Sequence, residues 1–172
     1  MSIDRVRAYL KPYGLDGRVR QFSTSSATVG LAAQAIGCAP ERIAKTLSFK
    51  LGDCGMLVVV AGDARVDNAR FKARFHSRAK MLSADEVQTL IGHSIGGVCP
   101  FGVKKGVQVY LDVSLKRFET VYPACGSDNS AIELGMAELE ACSGSLGWVD
   151  VCKDWQGSGA TQSPWADSRG EV

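Results

Sequence analysis

Two stretches near the middle of the chain carry the clearest hydrophobic pattern. From Lys45 to Leu51 polar and apolar residues alternate, with an exception at Thr46, which is the pattern of a strand with one buried face. Residues 56–61 form a continuous apolar run, which is typical of a central strand buried on both faces. Residues 52–55, Gly-Asp-Cys-Gly, have the composition of a tight turn. We therefore predict a β-hairpin at the centre of a sheet.

The remaining periodic segments predict helices and shorter strands around this hairpin. Helices are predicted at 3–11, 29–36, 67–79, 84–91 and 136–142. Strands are predicted at 18–22, 107–113, 120–122, 131–134 and 148–151. The elements are mixed without strict β-α-β alternation, and no G-x-G-x-x-G or P-loop pattern occurs. The sequence therefore predicts an α/β fold with a mixed sheet and flanking helices, and not a Rossmann fold.

The composition is that of an ordinary globular protein. The 172 residues include 45% apolar and 22% charged residues, which are usual proportions. The length fits one domain with a substantial core, which we expect over residues 1–152. Gly, Ser, Asp and Gln dominate from Gln156 onward, so we expect a flexible C-terminal tail over 153–172. The formal net charge is only +2, so any contact with nucleic acid must come from a local basic patch.

We expect a cytoplasmic protein from the targeting and cysteine patterns. The first residues lack the apolar core of a signal peptide, and the longest apolar run, 56–61, is too short to span a membrane. Six cysteines are present, but none forms a C-x-x-C pair. Neither His76 nor His93 stands near a cysteine at zinc-finger spacing. We therefore expect reduced cysteines, no metal site and no cofactor.

The stretch Gly96–Lys105 has the most unusual local composition in the chain. It contains three glycines and one proline within seven residues, followed by two lysines. Glycine lets the backbone take a positive φ and approach a ligand closely, whereas proline fixes φ. The stretch is therefore either an ordinary connecting turn or a rigid binding loop whose lysines favour an anionic ligand.

Several further features carry candidate chemistry, each with a structural alternative. Lys45 is either a solvent-facing strand residue or a partly buried lysine directed into a pocket. Cys99 is either a nucleophile activated by a nearby lysine or a small residue that fills the loop. His76 and His93 lie outside any nucleophile motif and are interpreted as solvated or packed. Residues 65–80 contain six basic residues against one acid, which indicates a solvated helix face or a phosphate-binding patch.

Three motifs stand in a particular order and spacing along the chain. They are Lys-Thr-Leu at 45–47, Gly-Gly-Val-Cys-Pro-Phe-Gly at 96–102 and Val-Tyr-Pro-Ala-Cys-Gly at 121–126. Together they resemble the YbaK/ProX family of aminoacyl-tRNA deacylases, which is related to the editing domain inserted in bacterial prolyl-tRNA synthetases. The resemblance covers about residues 3–142.

The resemblance implies a fold, a reaction and a set of site residues. The implied fold is a mixed α/β domain with a barrel-like mixed sheet and surrounding helices. The implied reaction is hydrolysis of the ester that joins a wrong amino acid to the tRNA 3′ end, assisted by the substrate's own ribose hydroxyl. The expected catalytic residues are Lys45 and Gly96. The expected substrate-binding residues are Phe22, Thr46, Gly97, Val98, Cys99, Pro100, Gly126 and Ser127. The expected tRNA-binding residues are Arg70, Arg74, Lys104 and Lys105.

The chain departs from this family pattern at three places near the expected pocket. Phe22 stands where relatives carry a tyrosine, and Ser-Asp-Asn-Ser at 127–130 replaces a basic, glycine-containing turn. Ala131 stands where relatives have an acidic residue. These differences leave the amino-acid specificity open. These differences bear less on the reaction type, because Lys45 and the glycine loop are retained.

The first hypothesis is a trans-editing hydrolase that removes a small amino acid such as alanine, cysteine or serine from tRNA. The expected substrate is tRNA for proline, bound by its 3′ acceptor end, with prolyl-tRNA synthetase as a candidate partner. Size-excluding second sites of this kind serve where one methyl or hydroxyl discriminates poorly. The second hypothesis is a non-catalytic module that binds tRNA or a synthetase. The third is an enzyme that depends on Cys99.

Overall fold

Helices and strands are interspersed along residues 2–155, the part of the chain that this computed structural model describes. The α-helices are α1 (Ser2–Leu10), α2 (Val29–Ile36), α3 (Asn68–Phe75), α4 (Ala84–Glu86) and α5 (Met136–Ser143). The strands are β1 (Arg20–Gln21), β2 (Ile43–Leu51), β3 (Cys54–Ala61), β4 (Arg65–Val66), β5 (Gln108–Asp112), β6 (Thr120–Pro123), β7 (Ser130–Ala131), β8 (Leu134–Gly135), β9 (Trp148–Val149) and β10 (Cys152–Lys153). The predicted hairpin is confirmed as β2 and β3.

The main sheet has six strands in the order β8-β6-β2-β3-β5-β9. The pairs β2–β3 and β6–β8 are antiparallel, whereas β2–β6, β3–β5 and β5–β9 are parallel. Two small ribbons, β1–β7 and β4–β10, lie outside this sheet. The sheet curls into half a barrel, so the predicted mixed, barrel-like α/β fold is confirmed.

Alternation along β2 and β3 gives the sheet two different faces. Phe49 and its partner Met56 point towards α3, where Phe49 packs on Phe71 with ring centroids 4.9 Å apart. On the opposite face Leu57 joins a second cluster with Leu82, Val87, Ile91 and Val109. Residues 56–61 are fully buried, because both faces of the central strand are covered.

Three predicted elements differ clearly from the structure, two through local backbone conformation and one through strand pairing. The helix predicted to reach residue 79 ends at Phe75, because His76 adopts a left-handed conformation (φ 59°) that closes the helix. The helix predicted at 84–91 is α-helical only in α4 and continues as a π-helical turn, Val87–Ile91. The strand predicted at 131–134 is divided, because β7 pairs with β1 whereas β8 pairs with β6.

Packing continues beyond the expected domain boundary at residue 152. β10 pairs with β4, and the buried Trp155 accepts a hydrogen bond on its carbonyl from Arg117 Nη1 at 3.5 Å. Most of the expected tail, residues 156–172, lies outside the described residues. Within residues 2–155 no helix is long and apolar enough to cross a membrane.

Candidate active site

A cavity of about 280 Å³ opens beside the first half of β2. Six separate stretches of the chain form its wall. The lining residues are Ser26, Ala27, Thr28, Val29, Ala32, Ile43, Ala44, Lys45, Thr46, Ser48, Met81, Leu82, Ile95, Gly96, Val98, Tyr122, Ala124, Ser130 and Ala131. Both expected catalytic residues, Lys45 and Gly96, are among them.

The cavity coincides with a gap in the hydrogen bonding along one edge of β2. On this edge β6 pairs with β2 only at Ile43 and Ala44. Pairing resumes at Ser48, whose carbonyl accepts a hydrogen bond from Leu82 N at 3.1 Å. Because Ser48 directs its backbone groups to this edge, the alternation of the strand directs those of Thr46 the same way. The gap therefore exposes backbone polar groups, as well as side chains, to a bound molecule.

Lys45 is half-buried at the end of the cavity nearest the start of α2. Its Nζ donates a hydrogen bond to the carbonyl oxygen of Gly62 at 3.3 Å. Gly62 itself lies against Val29 and Pro40, so close that a β-carbon would meet the Pro40 carbonyl oxygen at 2.0 Å. Burial lowers the pKa of Lys45. An ammonium has three donors, so two N–H groups of Lys45 remain for a ligand.

The glycine/proline loop supplies the opposite wall through Gly96 and Val98. Gly96 has φ +95° and fits between Ala27 and Asp128, whose β-carbons lie 3.6 and 3.5 Å from the position that a β-carbon would take. At Gly97 a β-carbon would approach the backbone of Gly126 and Ser127 within 2.5–2.8 Å. Glycine is therefore required at 97 by close packing and favoured at 96 by conformation.

Cys99 and Pro100 do not line the cavity, contrary to the expectation that they contact substrate. Both are buried on the far side of the loop, and Cys99 is fully buried in the main core. Burial raises the pKa of the Cys99 thiol to about 12, so at neutral pH it is protonated and a poor nucleophile. The structure supports the interpretation of Cys99 as a small core residue.

Four other expected substrate-binding residues also lie behind the cavity wall rather than in it. They are Phe22, Gly97, Gly126 and Ser127. Phe22 packs under the Arg20 guanidinium, 5.3 Å from the ring centroid, and its N–H donates to Asn129 O at 2.7 Å. Ser127 Oγ is within 2.7 Å of Ser130 Oγ. These residues hold the 126–130 turn against the loop. The two departures Ser130 and Ala131 do line the cavity.

A buried polar network anchors both ends of the loop to α1. The Nη2 atom of Arg5 donates a hydrogen bond to the Gly92 carbonyl and lies 3.3 Å from His93 Nδ1. Because Arg5 can only donate, His93 Nδ1 accepts, and His93 Nε2–H donates to Phe101 O at 2.8 Å. Burial lowers the pKa of His93, which is fully buried and packed. No motif in the sequence indicates this role of Arg5.

The four expected tRNA-binding residues do not form one patch. Arg70 pairs with Asp150 (2.9 Å), and the Arg74 guanidinium stacks over Phe75 and Tyr110 on the α3 face of the sheet. On the other face, Lys104 Nζ donates to Thr89 O at 2.8 Å, and Lys105 is exposed. None of the four lines the cavity.

Sequence reasoning missed several residues of the wall. The hydroxyl-rich loop before α2 supplies Ser26 and Thr28, and two largely exposed apolar residues, Met81 and Ile95, stand at the rim. The only available signal was the run of hydroxyls at 23–28. Among residues 2–155, no three His, Cys, Asp or Glu side chains gather where they could hold a metal ion.

Comparison with known proteins identifies relatives of this architecture. A Bacillus subtilis (strain 168) protein, the uncharacterized YwhH, is 54% identical over 157 residues, which is 91% of this chain and all of that protein. Proline–tRNA ligase from the same organism is 34% identical over 77 residues, 44% of this chain and 14% of the ligase.

Solved structures share the fold. A proposed trans-editing enzyme for prolyl-tRNA synthetase superposes with a TM-score of 0.80 at 29% identity, over 88% of this chain and 97% of that one. The hypothetical protein APE2540 superposes with a TM-score of 0.77 at 27% identity, over 87% of this chain and 99% of that one. The sequence pattern of the aminoacyl-tRNA editing domain matches residues 24–142. This chain therefore belongs to the aminoacyl-tRNA editing domain family.

Proposed function

We propose that this protein hydrolyses the ester between a small, wrongly attached amino acid and the 3′ end of a tRNA. The observation that carries the proposal is the meeting of Lys45 and Gly96, from distant parts of the chain, in the wall of one small cavity. Its volume of about 280 Å³ lies just below the range for drug-sized ligand pockets, roughly 300–1,000 Å³. It suits an aminoacyl group and not a large ligand.

The chemistry requires positioning more than a protein nucleophile. Water adds to the ester carbonyl, the bond to the ribose oxygen breaks, and that oxygen takes a proton as the amino acid leaves. Lys45, with donors to spare, binds the terminal phosphate or the carbonyl oxygen. Backbone groups at the Thr46 gap and the Gly96 loop fix the acyl group, and the substrate's ribose hydroxyl orients the water. Preorganised donors of this kind supply much of the acceleration in acyl transfer.

The proposed acceptor is tRNA for proline. Its support is the identity with proline–tRNA ligases and the likeness to a proposed trans-editing enzyme for prolyl-tRNA synthetase. Ile95 and Met81, 62% and 58% exposed at the rim, offer apolar surface to the terminal nucleobase. We propose prolyl-tRNA synthetase as a partner that delivers the mischarged product.

The test is a deacylation assay with alanyl-, cysteinyl- and seryl-tRNA for proline, with correctly charged prolyl-tRNA as the matched control. The expected result is release of at least one small amino acid, while prolyl-tRNA stays intact. Binding of charged tRNA without release of any amino acid would contradict the proposal and favour a non-catalytic tRNA-binding module.

A further inference from the structure

A buried arginine outside the cavity wall, Arg117, forms an ion pair with Asp63. Its Nη1 donates to Asp63 Oδ2 at 3.0 Å, and its Nη2 donates to Asp63 Oδ1 at 2.5 Å, which is the bidentate geometry of a strong pair. The Arg117 side chain is only 7% exposed. Its Nε donates to the Ser114 carbonyl at 3.0 Å, and its guanidinium carbon lies 4.8 and 5.0 Å from the ring centroids of Phe118 and Trp155. These contacts hold the guanidinium in one place.

The ion pair lies next to Lys45. Asp63 directly follows Gly62, whose carbonyl oxygen accepts the hydrogen bond from Lys45 Nζ. Burial has the largest influence on the pKa of Lys45 and lowers it, whereas Asp63 raises this pKa and Arg65 lowers it. Cys152 also lies nearby, but burial raises the pKa of its thiol, so it is uncharged at neutral pH. Asp63 therefore supplies negative charge beside the Lys45 ammonium.

The turn that contains Gly62 is held in place without the Asp63 carboxylate. Ala61 N donates to Ser114 Oγ at 3.1 Å, and Gly62 N donates to Glu41 O at 3.3 Å. These contacts fix the Gly62 carbonyl from both sides. The pairing of the Asp63 carboxylate is therefore not needed to keep this carbonyl in reach of Lys45.

We propose that Arg117 is a positioning residue for Lys45, because it occupies the Asp63 carboxylate and leaves the Lys45 ammonium available to the anionic end of the tRNA. This inference rests on the proposed function. A carboxylate without its guanidinium would compete with the tRNA for Lys45, since opposite charges attract strongly in a partly buried site. The planar guanidinium prevents this competition by binding both carboxylate oxygens at once.

The test follows the Lys45 ammonium directly, by NMR titration of the full-length protein with isotope-labelled lysine side chains. The Lys45 signal is assigned by its loss in Lys45→Met. Arg117→Met removes the guanidinium and should move the Lys45 titration to higher pH, because the released carboxylate favours the charged ammonium. On alanyl-, cysteinyl- or seryl-tRNA for proline, kcat/KM should fall about 10- to 100-fold.

The double variant Arg117→Met/Asp63→Asn removes the competing carboxylate as well. The Lys45 titration should return towards that of wild type, and kcat/KM should recover to within a few-fold of it. If the pair had only a structural role, removing both partners could restore stability, but the Lys45 titration would not move in either variant. Arg18→Met breaks an exposed ion pair with Glu138 and is the matched control, which should behave as wild type.

Arg117→Lys retains the charge but lacks the planar fork, so it should change both measurements in the same direction by less. It replaces Arg117→Met if that variant does not fold. An unchanged Lys45 titration in the folded variant, or no recovery in the double variant, would overturn this inference while leaving the proposed hydrolysis intact. No turnover of any charged tRNA by wild type would overturn the proposed function itself.

Discussion

Gly97 packs so tightly on Gly126 that a β-carbon at residue 97 would lie 2.5 Å from the Gly126 carbonyl carbon. This contact joins the loop that supplies Gly96 and Val98 to the turn that supplies Ser130. Two walls of the cavity are therefore one packed unit. Its shape depends on backbone approach rather than on side-chain chemistry.

Substitution Gly97→Ala should separate these two walls. The added methyl group forces backbone apart, and overpacking of this kind costs about 1–3 kcal/mol in the free energy of unfolding. Chemical denaturation measures the loss, and deacylation should fall as well because Gly96 moves. Gly17→Ala is the control, since nothing lies within 4 Å of its β-carbon position. Equal stabilities of the two variants would contradict the proposed tight fit.

The buried His93 should make stability depend on pH. Burial lowers its pKa in the folded protein, so the unfolded chain takes up a proton at a higher pH than the folded protein does. The free energy of unfolding should therefore fall as the pH drops from about 7 through the ordinary histidine value of about 6.5, until folded His93 is itself protonated. His93→Gln, which can keep both hydrogen bonds, should show a shallower decline in urea unfolding between pH 7.5 and 5.5. If the free energy of unfolding declined equally with pH in wild type and His93→Gln, the proposed role of His93 would be contradicted.

Cys99 should be dispensable for hydrolysis. Its thiol is fully buried, and burial raises its pKa to about 12, so Cys99→Ala should keep activity within a few-fold of wild type. In the native protein, iodoacetamide at pH 7.5 should modify the exposed Cys54 and spare Cys99, as mass spectrometry of the peptides will show. Loss of turnover in a folded Cys99→Ala protein would contradict this prediction and support a mechanism that depends on Cys99.

The two groups of basic residues should contribute unequally to tRNA binding. Asp150 already pairs with Arg70, and Arg74 is stacked on two rings, whereas Lys105 is exposed beside the segment that leads out of the glycine loop. Lys104→Glu/Lys105→Glu should weaken binding and reduce the salt slope by about one per lost phosphate contact. Arg70→Glu/Arg74→Glu should have the smaller effect. The reverse order in binding titrations at several salt concentrations would place the tRNA on the α3 face.

The sequence predicts the central part of this fold well because hydrophobic periodicity is strong there. The alternation at 45–51 and the apolar run at 56–61 correspond to β2 and β3, and α2 spans the predicted residues 29–36. The bounds of the short strands are predicted less well, because pairing with distant segments determines where these strands begin and end. The segment 130–135 changes partner between β1 and β6, and no local pattern reports such a change.

The candidate site was only partly predictable for a similar reason. Motifs located Lys45, Thr46, Gly96 and Val98 because they share a stretch with glycine, proline or lysine. They do not separate the residues that face the cavity from those that lie behind it, such as Cys99 and Pro100. Ser26 joins the wall only because the loop before α2 is bonded to Asp128, a contact between distant residues.

The rate of deacylation by Lys45→Ala tests the central claim most directly. If Lys45 orients the tRNA end in this cavity, removing its ammonium should lower kcat/KM about 100-fold or more, while the variant remains folded by circular dichroism. Lys153→Ala removes an exposed lysine from β10 and should leave the rate unchanged. A folded Lys45→Ala protein as active as wild type would contradict the account.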